Sequence, residues 1–164
     1  MPFDSVNVAG GAFDPNVYFR RSHDEQALEA TLELNLATVP GEVNEIGWFE
    51  TDATGSFVGT RHILFQGGGV PPGSLTPDPI GKRVTFRPTE HFGYYFKDVS
   101  ELGCLAYTLS SFNDAPACNG HNFVVFSTDP DSRHSTFWIA GEDPAGCVDE
   151  DCNLTLVKVD PADE

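Results

Sequence analysis

The plainest repeat in the chain begins at residue 31, where Thr31, Glu33 and Asn35 alternate with Leu32, Leu34 and Leu36. That two-residue period belongs to a strand with one face on a core. Beyond Pro40-Gly41 the pattern becomes a series of short apolar runs: 44–50 (NEIGWFE), 60–66 (TRHILFQ), 82–87 (KRVTFR), 91–97 (HFGYYFK), 104–110 (CLAYTLS), 121–127 (HNFVVFS), 134–140 (HSTFWIA) and 153–159 (NLTLVKV). Aromatic and β-branched residues fill the runs and Gly, Pro, Asn and Asp fill the gaps, so each run reads as a strand. Many short strands at this spacing predict a sandwich or a barrel. The expected fold is all-β, a jelly-roll-like antiparallel β-sandwich of eight or nine strands, in a single domain over 1–164.

Three stretches depart from this pattern. Residues 1–20, with Gly10, Gly11 and Pro15, read as an irregular N-terminal arm. Ser22-His23-Asp24-Glu25 has the form of a capping box and predicts one short N-terminal helix over about 23–30. The segment 67–81 (GGGVPPGSLTPDPIG) suits neither a helix nor a central strand, and predicts a long surface loop. Within the strands, Ile46-Gly47-Trp48-Phe49 and Phe92-Gly93-Tyr94-Tyr95 share an apolar–Gly–aromatic–aromatic order. Glycine inside a strand marks a bulge or a close backbone approach that flanking rings cover, so this echo predicts packing rather than chemistry.

Charge narrows the partners. Nine Lys and Arg stand against 25 Asp and Glu, for a net charge of −16. Such a field repels phosphate backbones and anionic headgroups, which argues against nucleic acid and membrane surfaces; it suits multivalent cations, and serves simple solubility equally well. No apolar run approaches the roughly 18 residues that span a bilayer, so no membrane insertion is expected. The start, MPFDSVNVAGGAF, lacks the basic and apolar regions of a signal peptide, and the expectation is a mature secreted region with an added Met1. Four cysteines, Cys104, Cys118, Cys147 and Cys152, favour that compartment and allow three disulfide pairings. The local pairing 104–118 and 147–152 is the simplest, and a closed loop of about 15 residues stabilises by roughly 3 kcal/mol. A four-thiolate zinc site fits poorly, because the usual C-x-x-C spacing is absent.

The segment most informative about chemistry is 137–159. Glu142, Asp143, Asp149, Asp151 and Asn153 fall within twelve residues between two expected strands. Ca²⁺ takes six to eight oxygens from carboxylates, amides, carbonyls and water. Asp149-x-Asp151-x-Asn153 resembles the D-x-D-x-N start of many calcium loops, in which every second side chain turns toward one ion, and Glu142-Asp143 would close the shell from the preceding strand; the alternative is a solvated acidic turn. Unpaired, these carboxylates repel one another, and a cation removes that repulsion. The EF-hand loop is excluded, since its sixth-position Gly and twelfth-position Glu are missing.

With these residues in place, 137–159 resembles the C-terminal motif of a calcium-motif β-sandwich domain of unknown function found in PEP-CTERM-sorted and large repetitive bacterial surface proteins. The matching positions are Phe137, Trp138, Ile139, Gly141, Glu142, Asp143, Asp149, Asp151, Asn153 and the closing strand Leu154–Val159. Gly47-Trp48, Gly93-Tyr94-Tyr95 and His121-Asn122-Phe123 are similar to further strands of that family. The likeness spans roughly 30–160, with only its last part specific. Cys152 replaces the usual aromatic residue and Leu154 stands where the motif has its final Asp, which puts the ligand set in doubt. The resemblance implies Ca²⁺ and an extracellular, surface-associated role, in a family with no settled activity. Taken with the residues, the expected function is a calcium-stabilised cell-surface module in attachment, matrix or fibre assembly, with structural Ca²⁺ and with polysaccharide or other surface proteins as partners; edge strands leave room for self-assembly.

Other chemistry is thinly represented. His23, His62, His91, His121 and His134 match no metal-binding helix. A metal-dependent enzyme would need His91, His121 and His134 to converge on one ion. No nucleophile elbow, phosphate loop or dinucleotide fingerprint is present, and among 25 acids a pair at glycosidase spacing carries no information. A carbohydrate-binding module would need an exposed aromatic platform, for which Trp48, Tyr94 and Tyr95 are the candidates, while Trp138 reads as core.

Overall fold

The run His91–Lys97 is buried along most of its length, and the first of two sheets is assembled around it. The computed structural model describes residues 3–9, 16–21, 27–35, 45–66, 83–97, 105–113, 123–127, 137–142 and 154–162. Their strands are β1 (Phe3–Ala9), β2 (Asn16–Arg21), β3 (Leu28–Asn35), β4 (Glu45–Glu50), β5 (Arg61–Gln66), β6 (Arg83–Phe86), β7 (His91–Lys97), β8 (Leu105–Tyr107), β9 (Phe123–Ser127), β10 (Phe137–Glu142) and β11 (Leu154–Pro161). One 3-10 turn, Ser110–Phe112, follows β8.

The first sheet has the order β1-β2-β7-β4-β5, with β8 also paired to β7; the second has the order β6-β3-β11-β10-β9. Every described pairing is antiparallel. The chain crosses between sheets after β2, β3, β5, β6 and β8, as in a jelly roll, and closes with the β9-β10-β11 meander. Inward positions of both sheets share one core, including Phe19, Leu32, Trp48, Phe65, Tyr94, Phe96, Ile139 and Val157. The architecture is therefore an all-β, two-sheet sandwich.

Two expectations about the N-terminus are corrected. The supposed irregular arm holds the paired strands β1 and β2, with ladder partners from Ala9↔Asn16 to Phe3↔Arg21. Phe19 of β2 is fully buried and stacks on Phe92 at 5.5 Å between ring centroids. The helix over 23–30 also fails where it can be judged, because Leu28–Ala30 are the first residues of β3. Leu28, Ala30 and Leu32 are all fully buried, so the alternation read from Thr31 starts three residues earlier. Pairing with both β6 and β11 overrides the helical preference of that stretch. The described residues hold eleven strands rather than eight or nine, and the loop expected at 67–81 lies outside them.

One edge of β7 is shared. β2 pairs with its first residues through Phe19↔Phe92 and Arg20↔His91, while β8 pairs with its last through Tyr95↔Tyr107, Phe96↔Ala106 and Lys97↔Leu105. Between them, the Tyr94 N–H donates to Thr108 Oγ1 at 3.0 Å and the Thr108 N–H donates to the Tyr94 carbonyl at 2.9 Å. A side chain thus completes the ladder where two strands meet end to end.

The glycine echo is resolved by register. Gly47 lies opposite Tyr95 and Gly93 opposite Phe49, so each ring covers the glycine of the other strand. Phe49 and Tyr95, both fully buried, form a smaller cluster with Leu109 on the outer side of this sheet, partly covered by Leu105, Tyr107 and Phe112. The echo is packing, as its sequence implied.

Candidate functional site

The acid-rich segment is bracketed by two neighbouring strands. β10 ends at Glu142, β11 begins at Leu154, and these two residues are ladder partners. Both strands are interior to their sheet, β10 between β9 and β11, and β11 between β10 and β3. Phe123, which opens β9, is opposite Gly141, and Asn35, which closes β3, is opposite Thr155. Glu142 therefore sits at a sheet end held by four strands. Asp143, Asp149, Asp151 and Asn153, with Cys147 and Cys152, lie outside the described residues, as do Cys104 and Cys118. Leu154, which takes the place of the motif's last Asp, forms the first rung of β11.

The aromatic candidates are not a platform. Trp48 and Tyr94 are inward residues of the inter-sheet core, 6% and 1% exposed, and Tyr95 is fully buried on the other side of its sheet. The reason is periodicity: in β4 and β7 neighbouring aromatics serve opposite faces, and both faces are covered. Further contacts fix each ring. His62 stacks on Trp48 at 3.9 Å and 13°, with its Nε2 3.0 Å from Glu50 Oε1. The Tyr95 hydroxyl donates to Glu45 Oε1 at 2.7 Å, and Arg61 lies 5.6 Å from the Tyr95 ring centre. The Tyr94 hydroxyl is buried with no hydrogen-bond partner among the described residues.

Burial pushes the Tyr94 hydroxyl well above its ordinary value. Tyr95 is raised too, first by burial and then by the hydrogen bond and charge of Glu45, with Arg61 opposing. Trp138, expected in the core, is the ring that faces away from it: its neighbour Ile139 is the inward residue, and Lys158 Nζ lies 5.9 Å from the Trp138 ring centre.

The histidines gain no support as a cluster. His91 pairs with Arg20 in the first sheet, whereas His121 and His134 precede strands of the second and, like His23, lie outside the described residues. β9 and β10 are antiparallel, so their first residues, Phe123 and Phe137, stand at opposite ends of the pair. Opening consecutive strands therefore does not by itself bring His121 and His134 together. No group of three or more His, Cys, Asp or Glu suited to an ion occurs among the described residues.

Among the described residues, the exposed acid Asp52, in the β4–β5 connection, is held by a dense set of hydrogen bonds. Its Oδ1 accepts from the Thr54 N–H at 2.9 Å, the Thr54 hydroxyl at 2.7 Å and the Ser56 N–H at 3.1 Å, while Oδ2 accepts from the Ser56 hydroxyl at 2.6 Å. These bonds, led by that of the Ser56 side chain, hold its carboxyl well below the usual range. Gly55, with φ of 63°, permits the tight turn. Every donor is within the turn, so the carboxylate orders its own loop.

No functional role is read from the sequence at Glu29, Thr31, Arg83, Lys158 or Asp160, each of which alone looks like an ordinary solvated position. The structure collects them at one groove on the outer side of the second sheet. Only the cross-strand register, which no local pattern encodes, could have drawn attention to them. Comparison with protein-family models, with curated proteins and with solved structures found no match.

Proposed function

We propose that the chain is an extracellular calcium-binding β-sandwich module in which the ion has a structural role, in surface attachment, matrix or fibre assembly. The observation that carries this reading is the Glu142↔Leu154 pair. It brings the two ends of an acid-rich segment side by side on interior strands, so that the eleven residues 143–153 start and finish at one point. A ligand set anchored on rigid strands loses less freedom on binding than one spread along an open chain. Asp143, Asp149, Asp151 and Asn153 supply side-chain oxygens, with Glu142 at the end of β10. Repulsion among them, in a chain already at −16, is what the ion relieves. The likeness of 137–159 to the bacterial surface-protein motif and the four cysteines point the same way.

Thermal unfolding tests this. The intact chain is melted in excess EDTA and in millimolar Ca²⁺, at matched ionic strength and with disulfides preserved. A free ion at a hundred times Kd adds about 2.7 kcal/mol, or roughly 5–10 °C in Tm for a chain of this size. The rise should be absent with Mg²⁺ and lost in Asp151→Ala. An unchanged Tm in Ca²⁺ would reject the reading.

A further inference from the structure

The outer face of the second sheet carries a polar groove that the calcium reading does not use. Along β3, Leu28, Ala30 and Leu32 enter the core, so Glu29, Thr31 and Glu33 face outward. Along β11, Val157 and Val159 enter the core, so Lys158 and Asp160 face outward. Register aligns these residues across strands: Trp138↔Lys158, Lys158↔Thr31 and Thr31↔Arg83 form one row, and Asp160↔Glu29 part of the next. The groove holds about 450 Å³, within the roughly 300–1,000 Å³ of small-ligand sites. Thr31 is only 8% exposed although it points outward, which makes it the floor between charged walls.

The walls are two ion pairs. Arg83 Nη1 lies 3.4 Å from Glu29 Oε1, and Lys158 Nζ lies 3.1 Å from Asp160 Oδ2. Each pair sets a cationic donor beside an anionic acceptor, and Glu33 adds another acceptor. Each hydroxyl of a ligand both donates and accepts, so neighbouring hydroxyls can satisfy such a pair without breaking it, through charge-assisted hydrogen bonds. Three acids against two bases, in a chain of net −16, disfavour an anion. The polar walls disfavour an apolar ligand, and no metal-holding group occurs among the described residues. Next to Lys158 in the row, the Trp138 ring lies under the Lys158 ammonium at 5.9 Å and, with Asp160, helps hold that cation in place.

We propose that this groove is a binding site for an uncharged saccharide, with Arg83–Glu29 and Lys158–Asp160 reading adjacent hydroxyls over the Thr31 floor. The site shares no residue with the 142–153 segment and stands whether or not calcium binds there.

The test probes the intact chain with a panel of neutral oligosaccharides (glucans, mannans, xylans and galactans), using uronic-acid and sulfated oligosaccharides as charged comparators, in EDTA and in Ca²⁺. Hits are measured by titration calorimetry. At least one neutral oligosaccharide should bind. Arg83→Ala and Lys158→Ala should each weaken it about tenfold, the scale of one charge-assisted hydrogen bond. Thr31→Trp, which fills the floor, should abolish binding, with melting temperatures measured for every variant. Arg83 is well exposed, so its truncation leaves the fold intact and keeps the test clean. The proposal is overturned if only charged saccharides bind, if no neutral one binds, or if a neutral one binds the Arg83→Ala/Lys158→Ala double variant as tightly as the parent.

Discussion

A methyl group added at Gly93 would come within 2.7 Å of Phe49 Cε1 and 2.8 Å of Thr108 Oγ1, and one added at Gly47 within 2.6 Å of Tyr95 Cε1. Real Cβ atoms essentially never approach closer than 3.0 Å. Both rings are fully buried and have little room to retreat. Gly93→Ala is therefore expected to destabilise by about 1–3 kcal/mol, the range of overpacking in a filled core. Urea denaturation reads the loss as a lower midpoint at unchanged slope. Pairing Gly93→Ala with Phe49→Leu should give a penalty smaller than the sum of the two single changes, because removing the ring makes room for the methyl group. Strict additivity would show that the ring does not set the limit.

At the scale of elements, the junction on β7 is the informative place. Thr108 sits in the gap between β2 and β8, and the Tyr94 N–H has its hydroxyl as acceptor. Thr108→Val keeps the shape and removes that acceptor, leaving a buried donor unmet at a cost of about 1–3 kcal/mol. Amide exchange at Tyr94 should accelerate by more than global destabilisation explains, whereas equal acceleration across β7 would deny the junction its local role. Here the sequence was partly legible. β4, β5 and β7 fall within a residue of their expected bounds, because dense aromatic runs flanked by turn residues mark them. β3 was legible only from Thr31 onward, since Ser22–Glu25 and the residues after it favour a helix locally, and the opposing preference comes from β6 and β11, distant in sequence. β1 and β2 were hidden by the glycines and proline between them, which read as irregular until the pairing is seen. Within the proposed sites, the acid-rich segment was visible because its residues are adjacent in the chain. The groove was not, because its residues come from three strands spread over 29–160.

At the scale of the whole molecule, Tyr94 and Tyr95 make the sandwich lose stability at alkaline pH. Each hydroxyl is raised above the ordinary value of about 10 in the folded chain, chiefly by burial. The neutral form is thus favoured by folding. That contribution is fully present below the unfolded value near 10 and is lost as pH rises toward the folded values. Neither tyrosine should ionise in the native state, and both should titrate with cooperative loss of near-ultraviolet dichroism. Tyrosinate absorbance followed from pH 8 to 13 checks this. Full ionisation of all four tyrosines before that loss would contradict the burial described for these two.

The two glycine–ring pairs also constrain how this chain can change over generations. Gly47 and Tyr95 share one contact and Gly93 and Phe49 another, on the same two strands. A descendant that acquires a side chain at 93 must give up ring volume at 49, and one that shrinks residue 95 exposes the backbone at 47. Either step taken alone passes through a clash or a hole. Lineages of this chain should therefore change 49 with 93 as a pair and leave a correlated trace long after overall similarity has faded, whereas 47, where a methyl group would also meet the His62 backbone carbonyl, should stay glycine whatever stands at 95.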